Sequence, residues 1–280
     1  MRTYSNNPAL VVCDIDGTLT KNGTVYPSPY ALKVIEGLHE RKIFFGLASG
    51  RNSDNLLSLT KEWMLSFEPQ LLIGGNGSEY YDAIEGKNNV LYILSQEDVR
   101  YIITTMLKKY PDLNVSIYRD GMRMLRYEDE MAVNSKKRNK MENVIVNDIS
   151  QMWERPCFKV MFRVTEEVMR QIEPFAISIS GDRFHAIKTQ TTMLEFVHAK
   201  ANKGDPLKRF CEAHGIDLKD VIAYGDMSND NDLLLAAGTG VCMINGGEDT
   251  KRCADYITEK TNDEDGCAYD IDQYILKRSV

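Results

Sequence analysis

The sequence predicts an α/β protein: a doubly wound parallel-sheet core interrupted by an α+β insert. Three observations carry that expectation. Short apolar runs alternate with amphipathic helices over the first 80 residues, and the alternation returns after residue 200. Between them, strand-like segments sit next to one another, one pair joined by Asp120-Gly121, a strong hairpin signal. The length of 280 residues suits about two domains at roughly 150 residues each.

The elements follow in order. Residues 9–13 are a Val-rich run suited to a strand buried on both faces. Ser28-Pro29 reads as an N-cap followed by proline at the first helical position, opening a helix to Glu40. Leu32, Ile35 and Leu38 line one face of it. Residues 43–47 form a second strand, 54–65 a second helix and 70–73 a third strand. The insert then carries strands at 90–94, 114–119, 122–127, 143–146, 157–164 and 184–188, with helices at 97–110 and 165–172. The core resumes with a helix at 204–214, a strand at 221–224, a helix at 230–237 and a strand at 240–243. Short helices at 249–254 and 271–276 close the chain. The expected division is a core of residues 1–80 and 191–280, Rossmann-like in form, and an insert of 81–190.

Composition narrows the function. Hydrophobic residues make up 43% and charged residues 27%, as in ordinary soluble domains. Lys and Arg number 34 against 41 Asp and Glu, so the net charge is −7, the wrong sign for a non-specific nucleic-acid binder. The basic run Lys136-Lys137-Arg138-Asn139-Lys140 reads as a solvated face of the insert. No stretch approaches 18 consecutive apolar residues, and the first residues lack a signal-peptide core. Six cysteines show no C-x-x-C pair and no histidine at zinc-ligand spacing, so they read as reduced thiols in a cytoplasmic protein.

Four places bear chemistry, each at the carboxyl end of an expected strand or the start of a helix, where open α/β sheets bind ligands. The first is Asp14-Ile15-Asp16-Gly17-Thr18. Residues i and i+2 of an extended chain share a side, so both carboxylates can face one site. The second is Ser49-Gly50-Arg51, with a hydroxyl and a loop N–H suited to a phosphate oxygen. The third is Asn202-Lys203-Gly204, which puts an ammonium at a helix start. The fourth is Gly225-Asp226-Met227-Ser228-Asn229-Asp230, an oxygen-rich loop suited to Mg²⁺. Capping of the next helix by Asn229 or Asp230 is compatible with that role.

D-x-D-G-T, S-G-R, K-G and G-D-x-x-N-D in this order resemble the motif set of the haloacid-dehalogenase-like phosphohydrolases. The insert between the second and third motifs and the tail Asn262-Asp263-Glu264-Asp265-Gly266 resemble the Cof-type branch, whose members carry an α+β cap. The resemblance implies Asp14 as nucleophile and Asp16 as general acid and base. It implies Ser49, Gly50, Lys203 and Asn229 as phosphate-binding residues. Mg²⁺ would be held by Asp14, the Asp16 carbonyl and Asp226, with Asp230 in support. Arg51 and Asn76 fall at the implied junction of substrate and cap. Two positions depart from the pattern: Gly75-Asn76-Gly77-Ser78 stands where many relatives read E-N-G-A, and Asn245-Gly246 replaces the common N-A.

Electrostatics point the same way. Asp14, Asp226 and Asp230 bring three negative charges and a phosphomonoester dianion adds two. Each like-charge pair at 4 Å costs about 4 kcal/mol at an effective dielectric near 20, more than Lys203 alone can cancel. With this need for a cation, the resemblance implies Mg²⁺-dependent hydrolysis of a small phosphorylated metabolite through an aspartyl phosphate. A sugar phosphomutase with the same nucleophile and a non-catalytic phospho-ligand sensor are the competing expectations.

Overall fold

β1 (Leu10–Asp14) is buried along its whole length. Its alternate residues enter two different cores: Val11 and Cys13 pack on one face of the sheet, Leu10 and Val12 on the other. A strand of that kind needs helices on both sides, and the sequence supplies them. In α1 (Pro29–Glu40), Ser28 Oγ accepts from the Ala31 N–H at 3.0 Å and Pro29 occupies the first turn. β2 (Phe44–Ala48), α2 (Ser53–Glu62) and β3 (Leu71–Gly74) follow, then β4 (Glu79–Asp82) and β5 (Lys87–Val90). The structure is a computed structural model that describes residues 4, 8–119, 121–139 and 142–277.

The middle of the chain supplies α3 (Gln96–Lys109), β6 (Val115–Arg119), β7 (Met122–Leu125), α4 (Glu130–Asn139) and β8 (Asn143–Ile145). β9 (Lys159–Arg163), α5 (Glu166–Ser178), β10 (Phe184–Gln190) and β11 (Met193–His198) complete it. The last part holds α6 (Gly204–Ala213), β12 (Val221–Gly225), α7 (Asn231–Ala236), β13 (Thr239–Cys242), α8 (Glu248–Cys253), β14 (Tyr256–Ile257) and α9 (Gly266–Ile271).

Two compact units result, Met1–Leu91 with Asn202–Val280 and Tyr92–Ala201. The first is built on an eight-stranded sheet of order β14-β13-β12-β1-β2-β3-β4-β5, parallel from β14 to β3. α1 and α9 cover one face, α6 and α7 the other. Chain order runs outward from β1 in both directions, so β1 lies at the topological switch point. The second unit has a six-stranded sheet of order β10-β11-β9-β6-β7-β8. Val115, Ile117, Val160, Phe162, Leu194 and Phe196 line its inner face and pack with α3 and α5.

Three expectations are corrected. The expected boundaries at 80/81 and 190/191 move to 91/92 and 201/202. β4 and β5 extend the core sheet as an antiparallel hairpin on β3, with Leu71 opposite Asp82, and β11 lies inside the insert's sheet. The helix expected to stop at 172 runs to Ser178 through Pro174, because Met169, Ile172 and Ala176 keep one face buried. α4 was not anticipated; Asp129 Oδ1 accepts from the Ala132 N–H at 2.6 Å at its start. Of the basic run, Lys136 pairs with Glu142 at 2.6 Å, while Lys140 and the side chains of 137–139 lie outside the described residues. Asp120 of the expected hairpin does too, although Arg119 pairs with Met122 as a hairpin requires.

Candidate active site

Asp14 ends β1, the central strand of three whose carboxyl ends meet: β12 brings Gly225 and Asp226, β2 brings Ala48 and Ser49. Neighbouring parallel strands lie about 4.8 Å apart, so residues just past their ends must converge. Lys203, the N-cap of α6, is 0% exposed and drives its ammonium between two carboxylates. Its Nζ donates to Asp14 Oδ1 and to Asp230 Oδ1, each at 2.5 Å. Carboxylate oxygens of Asp14, Asp226 and Asp230 all lie within 4.8 Å of one another.

The three acids differ in what the protein gives them. Both oxygens of Asp230 are engaged, Oδ1 by Lys203 and Oδ2 by the backbone N–H groups of Asp226 at 2.9 Å and Met227 at 3.2 Å. Asp226 Oδ1 accepts from Thr18 Oγ1 at 2.9 Å. Asp14 Oδ2 and Asp226 Oδ2 have no hydrogen-bond donor among the described residues. Gly17, at φ +90°, leaves room for Asp226: a Cβ there would stand 2.4 Å from Oδ2.

Burial holds the Asp14 carboxyl well above its usual range, reinforced by Asp230 and Asp226 and opposed by Lys203. Burial, then Asp230, pushes Asp226 up to about 7. Burial would lower Lys203, but the two carboxylates outweigh it and raise the ammonium above its ordinary value. One cation against three buried acids leaves the cluster short of positive charge. The unengaged Asp226 oxygen, the all-oxygen donor set and that deficit fit a hard divalent cation such as Mg²⁺.

The remaining sequence candidates gather nearby with one exception. Ser49 is buried; its Oγ accepts from the Arg51 N–H at 3.2 Å, leaving its own proton to donate. Asn229 Nδ2 donates to Asn76 Oδ1 at 3.2 Å, and the same oxygen would stand 3.3 Å from a Cβ on Gly50, so Gly50, Asn76 and Asn229 form one edge. Asp16 is the exception. Its side chain is 40% exposed and held by Arg51, whose Nη1 donates to Oδ2 and Nη2 to Oδ1 at 3.2 Å. The strand ends at Asp14 and a turn intervenes, so the expected two-residue register does not carry Asp16 into the buried cluster. It is still close enough for its charge to raise Asp226.

Sequence reasoning missed the anchoring role of Thr18, although it belongs to the D-x-D-G-T string. It also missed Asp249, whose bonds to Ser228 and Asn231 hold the Asp226 loop. Nothing in the string G-G-E-D marked that role in advance.

A buried carboxylate with an ammonium against it, at the carboxyl end of the central strand where the chain order reverses, marks the ligand site of an open α/β sheet. The chain belongs to the haloacid dehalogenase-like hydrolases, whose family model matches residues 11–271. It is an enzyme of the hydrolase class. It is 27% identical, over 98% of its length, to the chloroplastic endoribonuclease YBEY of Arabidopsis thaliana, and spans about half (48%) of that protein. It is 23% identical to the 5-amino-6-(5-phospho-D-ribitylamino)uracil phosphatase YitU of Bacillus subtilis, covering 95% of this chain and 97% of that one. Among solved structures, a haloacid dehalogenase-like hydrolase from Bacteroides thetaiotaomicron superposes with a TM-score of 0.80 at 27% identity, over 95% of this chain and 99% of that one. No helix among the described residues is long and apolar enough to cross a membrane.

Proposed function

We propose that the protein hydrolyses small phosphorylated metabolites with Mg²⁺, through an aspartyl phosphate on Asp14, in the cytoplasm. The observation that carries this is the buried Asp14 carboxylate, held by Lys203 on one oxygen and unengaged on the other. The unengaged oxygen attacks phosphorus and the ester oxygen leaves, so one hard displacement becomes two easier ones. Asp16 gives a proton to the departing alkoxide, then takes one from the water that hydrolyses the acyl phosphate. Ser49, the Gly50 loop, Asn229 and the third N–H of Lys203 hold the equatorial oxygens. Asp14, Asp226 and the Asp16 carbonyl would hold the cation, with Asp230 fixing Lys203 and the Asp226 loop. When bound, the cation screens the carboxylates and polarises the phosphoryl group. The inserted unit acts as the cap that selects the substrate. YitU, a phosphatase of a phosphoribityl-bearing uracil, supports a substrate of small-metabolite size.

Turnover of a phosphate-ester panel is expected to vanish after exhaustive chelation and to return with Mg²⁺. Ca²⁺ is expected to bind and raise the melting temperature but to support poor turnover, because its looser coordination relaxes the in-line geometry. Turnover that survives chelation would refute the metal requirement. Asp16→Asn is expected to slow single-turnover release of an alkyl alcohol by about 10²- to 10⁴-fold. Release of p-nitrophenolate, which needs no proton, is expected to slow far less. Equal penalties on both esters would remove Asp16 from the proton-transfer role.

A further inference from the structure

The ion pair between Asp16 and Arg51 sets two roles against each other. Asp16 accepts from the guanidinium on both oxygens, through Nη1 to Oδ2 and Nη2 to Oδ1. A carboxyl group gripped by a guanidinium on both oxygens is oriented on that cation and is not free to turn an oxygen and its proton to a leaving group. The pair is only partly screened from water, at 18% exposure for the Arg51 side chain and 40% for Asp16, so it can open without unpacking a core. Arg51 also belongs to the phosphate loop: its own backbone N–H bonds Ser49 Oγ at 3.2 Å, next to Gly50. A phosphate offers the guanidinium the same two-oxygen geometry as a carboxylate, with twice the charge.

We propose that Arg51 is an exchange latch: it holds Asp16 in the free enzyme and passes to the substrate's phosphate on binding, which releases Asp16 to serve as the acid. This rests on the phosphatase reading above and assigns Arg51 a function in it. Binding and acid release are then one event. A ligand without a dianionic group leaves Asp16 latched, so idle protonation of bound alcohols or water is suppressed.

The exchange makes a prediction that runs against ordinary loss of function. Asp16 competes with phosphate for Arg51, so removing the competitor should tighten phosphate binding. The probe is inorganic phosphate, titrated calorimetrically at one fixed Mg²⁺ concentration into the wild type, Asp16→Asn, Arg51→Met and the double variant. Both side chains are partly exposed, and thermal melts confirm that each variant is folded. Asp16→Asn is expected to bind phosphate about three- to tenfold more tightly than wild type. Arg51→Met is expected to bind it at least about tenfold more weakly, the loss of a charge-assisted pair of hydrogen bonds. In the Arg51→Met background, Asp16→Asn should bring no more than a small gain, because the latch is already gone. If the gain from Asp16→Asn is the same with and without Arg51, general charge relief explains it and the exchange is overturned. If Arg51→Met leaves phosphate affinity unchanged and slows only alkyl-ester cleavage, Arg51 stays on Asp16 throughout and the exchange is again overturned. Failure of the phosphatase reading would show separately, as wild-type protein that hydrolyses no phosphate ester.

Discussion

Asp14→Asn is expected to reduce turnover of every phosphate ester by at least about 10⁴-fold, because an amide cannot supply the attacking oxygen. The substitution is nearly isosteric. Burial already disfavours the charged form of Asp14, so removing the charge should cost the fold little. Lys203 keeps its bond to Asp230, and the ammonium is not stranded. The expected result is therefore an inactive protein with a melting temperature close to wild type in chelator. Loss of Mg²⁺ binding alone could also silence the enzyme, so the variant needs a companion measurement on the wild type. Borohydride reduction of an acyl phosphate converts the aspartate to homoserine, and peptide mass analysis after a rapid quench should find that change at position 14. Homoserine at another acid, or full activity in Asp14→Asn, would remove Asp14 from the nucleophile's place.

Much of the core was legible because its signals are local. The Val-rich run of β1, the Ser28-Pro29 start of α1 and four motifs, three at strand ends and one at a helix start, each declare themselves within a few residues. The limits of the insert were not legible, for a physical reason. β4 and β5 form an antiparallel hairpin, locally indistinguishable from the hairpins of the insert, and only the pairing of β4 with β3 assigns them to the core. β11 was overlooked because Glu195 sits in its middle. That acid is buried against Lys159 at 2.7 Å, a partner 36 residues away that no local pattern reveals. The site shows the same split. Residue types and order were readable, but pairings were not: Thr18 with Asp226, Arg51 with Asp16 and Lys203 with both Asp14 and Asp230 join distant stretches. The i, i+2 argument for Asp14 and Asp16 assumed an extended chain one turn beyond where β1 ends.

Lys203→Met is expected to lower stability by about 3–5 kcal/mol in chelator, the usual cost of removing one partner from a buried charge pair. The ammonium is fully enclosed and is the cation that bonds Asp14 and Asp230. Methionine fills similar volume, so the loss is electrostatic and not a cavity effect. Two carboxylates then face each other without relief, and one of them must take up a proton for the fold to survive. Mg²⁺ supplies positive charge to the same cluster, so part of the lost stability should return when it is added, and the Met variant should gain more from Mg²⁺ than wild type does. Activity should not return, because in the proposed mechanism the ammonium also meets the phosphoryl oxygens. Lys203→Arg is expected to rescue neither property: a rigid planar guanidinium cannot occupy a slot closed around a single point charge. Urea midpoints for the three proteins, with and without Mg²⁺, carry the test. A Met variant as stable as wild type in chelator would mean that the buried acids are already neutral and that Lys203 does not hold the site together.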